Sequence, residues 1–281
     1  MAWFRRTPTV PVLRLQGPIG MATPLRPGLG IATAAAAIEK AFTASKTPAV
    51  AILINSPGGS PVQSHLIFKR IRQRAKEENK KVYVFCEDVA ASGGYFLAVA
   101  GDEIYADPSS IVGSIGVISS SFGLDKAIAK LGIERRVYTA GLNKGSLDPF
   151  LPERPDDIER LKALQRDVHD VFIGIVKDRR AAKLKGPDAE IFSGAFWSAG
   201  RALELGLIDG IGDVRSKMQE LFGDTVRLRV IPFGRPGLLS RLRRPTGGAL
   251  AVDLSQFSPS SIGDDVLSTL EERALWSRYG I

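Results

Sequence analysis

Histidine and cysteine are nearly absent from this chain, and their scarcity narrows the chemistry open to it. Its 281 residues include two histidines, His65 and His169, and one cysteine, Cys86. A single cysteine excludes an intrachain disulfide and fits a reducing compartment. Cys86 lies in an apolar run, where a free thiol ordinarily packs as a small hydrophobe. No apolar stretch approaches the roughly 18 residues that a membrane-crossing helix needs. Arg5 and Arg6 could begin a leader, but Pro8, Pro11 and Arg14 break up its apolar core. The expectation is a soluble, cytoplasmic chain without signal peptide or transmembrane anchor. Lys and Arg outnumber Asp and Glu by 38 to 30, a net charge of +8. That surplus is spread along the chain and meets no nucleic-acid motif, so nucleic acid is not an expected partner. No metal and no cofactor is expected either.

Hydrophobic residues make up 44% of the chain, enough for one large domain or two small ones. Val10–Leu15, Ala49–Ile54, Lys81–Phe85 and Glu103–Ala106 read as strands. The continuous apolar run 49–54 suits a parallel strand covered on both faces. Ser114–Ile118 and Arg135–Thr139 read as further strands. Helices are expected over 31–44, 61–78, 124–131 and 198–205. The longest is expected from Pro155 to about Lys183, with Ile158, Leu161, Leu164, Val168, Val171, Phe172 and Ile175 at helical spacing. Strands alternating with helices give an α/β architecture. Composition shifts near residue 233. Between Gly234 and Leu250 stand Arg235, Arg241, Arg243 and Arg244 and no acid. The chain therefore divides into a domain over 1–233 and a tail over 234–281, a basic linker with a final helix over 266–279.

Ser92 sits between an apolar strand and an apolar helix, inside Ala90-Ala91-Ser92-Gly93-Gly94. Small neighbours leave its hydroxyl open, and bare backbone N–H groups beside it suit an anion. A Ser-His-Asp triad needs a histidine within reach. His65 and His169 both lie on helices, with no motif around either, though either could approach Ser92 in space. A lysine can take the proton instead if it is neutral. A free lysine has a pKa of about 10.4, and burial can lower it by as much as about 3–5 pH units. Lys144, in Gly141-Leu142-Asn143-Lys144-Gly145, has no acid until Asp148, which is compatible with a desolvated base. Acyl transfer also needs donors for the carbonyl oxygen. Gly58-Gly59 follows a strand and precedes a helix, so the Gly59 and Gly93 N–H groups are the candidates.

Asn55-Ser56-Pro57-Gly58-Gly59, Ala91-Ser92-Gly93-Gly94-Tyr95, Gly113-Ser114-Ile115-Gly116-Val117 and Gly141 to Lys144 occur in that order. With Pro149-Phe150, Phe192-Ser193-Gly194 and Leu205-Gly206-Leu207-Ile208-Asp209, they resemble the signal peptide peptidase A (protease IV, SohB-like) family of serine peptidases. The resemblance covers about Val10 to Asp213. It implies a crotonase/Clp-protease-like fold of stacked βαβ units with a long helix, here in the single-repeat short form. It implies Ser92 as nucleophile, Lys144 as general base, and a homo-oligomer in which the two come from neighbouring subunits. Gly58, Ser114, Ile115, Gly116 and Val117 would line a cleft where an extended peptide adds as a strand. A serine among Ser114 and Ser119–Ser121 could hydrogen-bond Lys144.

The expected substrates are extended, apolar peptides such as signal-peptide remnants or membrane-protein fragments. Family members typically carry an N-terminal anchor, and none is expected in this sequence. The arginines of the tail fit either a solvated linker or peripheral contact with anionic lipid at the membrane's inner face, worth about 1 kcal/mol each. Two other functions stand beside peptidase. A crotonase-like acyl-CoA hydratase or hydrolase would use Gly93-Gly94, with Glu87 and Asp88 as acids. A non-catalytic peptide-binding scaffold would keep the cleft alone.

Overall fold

Two adjacent strands, Ala49–Ser56 (β2) and Lys81–Ala91 (β3), carry the centre of a mixed sheet, and their side chains alternate between two buried layers. Val50, Ile52, Ile54, Val82, Val84 and Cys86 face one layer. Ala49, Ala51, Tyr83 and Phe85 face the other. An apolar run without polar interruption is what a doubly covered parallel strand requires. The computed structural model describes residues 7–21, 28–233 and 259–281.

Thr9–Gln16 (β1) pairs parallel with β2 on one side and with a later strand, Arg227–Ile231, on the other. Ile31–Thr43 (α1), Pro61–Glu77 (α2) and Gly93–Ala98 (α3) cover the larger layer. Pro61 opens α2 where its missing N–H costs nothing, and the Ser60 hydroxyl caps it by accepting from Gln63 N. Strand β3 pairs first with Glu103–Ala106 (β4) and then with Ile111–Gly113 (β5). The short α4, Asp125–Lys130, precedes the long α5, Pro155–Arg180. After α6 (Asp188–Ile191), Phe196–Ser198 (β6) adds antiparallel to β5 and leads into α7, Ala199–Glu204. Gly210–Ile211 (β7) pairs with β4, α8 spans Val214–Phe222, and Arg227–Ile231 is β8. A final helix, α9, spans Pro259–Ser277. The predicted basic linker, 234–250, lies outside the described residues.

The end of α5 is fastened by charge. Arg180 is 1% exposed, donates twice to Gly206 O and pairs with Asp209 at 2.7 Å. Asp209 also accepts from Ile104 N and pairs with Lys183. The Leu205–Asp209 motif therefore closes the fold and does not touch the Ser92 site.

Several expectations need correction. Residues 114–118 are not a strand: the strand is Ile111–Gly113, and positive φ at Gly113 (114°) and Ser114 (54°) turns the chain out of the sheet. Residues 135–139 have no sheet partner and are exposed. Of the expected apolar stripe on α5, Phe172 is buried, while Leu164 and Val171 are 59% and 50% exposed. No residue from Ile118 to Arg154 is buried. That arm, which carries Lys144, has no core of its own.

Candidate active site

Ser92 occupies the junction between β3 and α3. Its backbone is left-handed, with φ 53° and ψ −122°, a conformation that costs a non-glycine residue free energy and recurs at nucleophile turns. Two hydrogen bonds hold it there. Ser92 N donates to Gly113 O at 2.8 Å, and Ser92 O accepts the first helical bond from Phe96 N at 3.0 Å. Among the described residues no group hydrogen-bonds the Ser92 hydroxyl.

The Pro57-Gly58-Gly59 turn presses against it. A Cβ on Gly58 (φ 100°) would lie 2.7 Å from Ser92 Cβ, and one on Gly59 (φ 140°) would lie 2.1 Å from Ile19 O. Both positions thus admit only glycine. Ile19 N donates to Gly58 O, and Ser60 N to Ile19 O, which pins the turn and leaves the Gly59 N–H unused between them. Among the described residues the Gly93 N–H also has no acceptor, as expected of a first helical residue.

Ser92 borders two hollows. One, of about 240 Å³, is walled by Val62, Leu66, Phe96, Val168, Val171 and Phe172, with His65 at its side. It is an apolar pocket large enough for an aromatic or long aliphatic side chain, since an apolar cavity of about 150 Å³ already binds benzene. His65 stacks obliquely on Phe68 and Phe96, and burial, then the nearby Lys69 charge, pushes its pKa down. The second hollow, of about 740 Å³, runs past Pro57, Ser114, Gly116 and Val117 toward Phe196, with His169 and Ser120 along it. Buried Ile115 turns its carbonyl to His169 Nε2 at 3.0 Å.

Gly58, Gly59, Ser92, Gly93, Ser114, Gly116 and Val117 are therefore gathered in one place, whereas Ile115, expected in the cleft, is buried in the core and lines neither hollow. Lys144 is not among them. It is exposed, in a turn whose own contacts are Lys144 N to Gly141 O and, two residues on, Ser146 Oγ to Asp157 Oδ1 at 2.9 Å. It lines neither hollow at Ser92. Neither histidine hydrogen-bonds Ser92. Glu87 and Asp88, the acids of the acyl-CoA reading, pair with Arg14 and Asn55 and line a different hollow. Residues that sequence did not bring forward are the apolar walls from α2, α3 and α5, and Phe196 and Tyr279. Their meeting is long-range, and no local signal announces it.

Ser92 thus stands on a strained turn between strand and helix, with idle backbone amides at its side, on a Clp/crotonase-like scaffold. Comparison with known families is specific: the profile of peptidase family S49 matches residues 74–224, and the chain belongs to this family of serine peptidases. A putative protease of Synechocystis is 32% identical over 74% of this chain and 75% of its own length. The chloroplastic serine protease SPPA of Arabidopsis thaliana is 30% identical over 90% of this chain and 36% of its own length. A Brucella abortus protein named Na(+)/H(+) antiporter NhaA is 55% identical over 99% of this chain, which spans 38% of that protein's length. Among the described residues no helix is long and apolar enough to cross a membrane.

Proposed function

We propose that this chain hydrolyses peptide bonds in extended, apolar peptides, with Ser92 as nucleophile and Lys144 of a neighbouring chain as base. The observation that carries the reading is the placing of Ser92. Its hydroxyl is unpartnered at the meeting of a peptide-wide groove and an apolar pocket, beside two idle N–H donors.

Ser92 Oγ attacks the scissile carbonyl carbon while the neutral Lys144 amine takes its proton. The carbonyl oxygen gains charge and is held by the Gly59 and Gly93 N–H groups, a contribution of several kcal/mol in comparable sites. The Lys144 ammonium then protonates the leaving amine. The acyl-enzyme is cleared by water, activated by the same lysine. An apolar side chain of the substrate fills the pocket under Phe96 and Phe172. Signal-peptide remnants and membrane-protein fragments have the matching composition.

Supply of the lysine from a second chain is supported by the arm itself. It displays Phe122, Leu131, Ile133, Tyr138 and Leu142 at 84%, 73%, 55%, 91% and 90% exposure. Apolar surface of that extent marks an interface. A fluorophosphonate probe should label Ser92, and labelling and peptide cleavage should both fall to background in Ser92→Ala. Cleavage should also vanish in Lys144→Ala with the fold kept. Full cleavage by Lys144→Ala would remove the lysine from the mechanism.

A further inference from the structure

The groove at Ser92 is not empty of protein: the last turn of α9 and the residues after it reach into it. Tyr279 Oη lies 3.4 Å from both Pro57 O and Ser114 Oγ. Its ring meets Phe196 edge-on, with centroids 5.1 Å apart and planes at 71°. Leu275 and Arg278 line the same hollow as Ser92, Gly59 and Gly116. Backbone bonds from Tyr279 N to Trp276 O and Gly280 N to Ser277 O fold the segment into a turn that presents the tyrosine.

We infer that residues 275–281 are a built-in ligand of the peptide groove, with Tyr279 as its anchor. The three groups that receive the tyrosine come from both walls of the groove. Pro57 precedes the Gly58-Gly59 turn, Ser114 follows β5, and Phe196 opens β6, paired with Gly113, whose carbonyl holds Ser92 N. An extended substrate passing between those walls meets Tyr279 first and must displace it. The same three groups form a subsite for an aromatic side chain, and a substrate with a tyrosine or phenylalanine at the matching place competes best. The contacts are few, and the two polar ones are long. The segment therefore acts as a reversible plug whose occupancy sets the apparent affinity for substrate.

The inference rests on reading the groove as a peptide site, and its test separates the two. The binding arm uses the full chain carrying Ser92→Ala and Tyr279→Ala, which cannot cleave and has lost its anchor. A fluorescein-labelled peptide of residues 268–281 is titrated against it by fluorescence anisotropy. The peptide should bind, and Tyr279→Ala in the peptide should weaken binding about tenfold or more. The kinetic arm uses Tyr279→Ala alone. A groove plugged nine-tenths of the time predicts a KM lower by about tenfold at unchanged kcat, because apparent affinity scales with the open fraction. Peptide binding that ignores its tyrosine, or no binding at all, overturns the plug whether or not the chain is a peptidase. Loss of cleavage with tyrosine-dependent binding intact would instead overturn the catalytic reading and leave the plug standing.

Discussion

Gly58 and Ser92 are packed so closely that the glycine has no room for a side chain: its Cβ would stand 2.7 Å from Ser92 Cβ and 2.8 Å from Gly93 N. The turn that carries one idle amide is thereby the surface against which Ser92 is set. Gly58→Ala should push Ser92 and Gly93 apart and strain a backbone held at φ 100°. A displacement of about 1 Å at a reacting group can cost on the order of 100-fold in rate. The expected result is a loss of roughly that size in kcat with circular dichroism unchanged.

Val171 stands at the mouth of the apolar pocket and is half exposed, so a larger residue there need not disturb the core. Val171→Trp should fill the pocket. Peptides with a large apolar residue next to the cut should lose roughly 10–200-fold in kcat/KM, the scale of hydrophobic-pocket discrimination. Labelling of Ser92 by a small fluorophosphonate should change little. Equal losses for peptide and probe would mean that the pocket does not select the substrate.

Asp209 answers the buried Arg180. Burial alone would raise its pKa, but hydrogen bonds from Arg180 and Lys183 outweigh it and hold the carboxyl below its usual value. A depressed folded pKa adds stability that is full above the unfolded value and is lost as pH falls through the folded one. Urea midpoints should therefore drop below about pH 4. Asp209→Asn should remove that pH dependence and cost about 3–5 kcal/mol at pH 7, because Arg180 stays buried without its counter-charge. An unchanged midpoint would show that the clasp carries no stability.

Cys86 is enclosed on the core-facing side of β3, and burial pushes its thiol up to about 12. It should not react with a thiol reagent at pH 8 in the native chain and should react at once in denaturant. Rapid native reaction would mean that the sheet opens there.

Elements with uninterrupted patterns are legible in the sequence. β2 is a run of buried apolar residues, and α2 begins at a Ser-Pro cap; both agree with expectation within two residues. The apolar pattern of β3 ends near Phe85, because Glu87 and Asp88 break the run. Their charges are answered across the sheet by Arg14 and Asn55, which local pattern does not show. The strand expected at 114–118 failed for a conformational reason, since Gly113 and Ser114 both adopt positive φ. Ser92, Gly59 and Gly93 were legible as small residues at strand ends. The apolar pocket was not, because Val62, Phe96 and Phe172 come from three helices. Tyr279 meets Ser114 across 165 positions of sequence, beyond any periodicity.

A mixing experiment decides whether Ser92 and Lys144 of one site come from different chains. Ser92→Ala chains keep the lysine, Lys144→Ala chains keep the serine, and each alone should be inactive. Co-assembled from denaturant, with mixed oligomers verified by native mass spectrometry, they should recover peptide cleavage that neither parent has. Mixed oligomers that stay as inactive as the parents would contradict a dyad built from two chains.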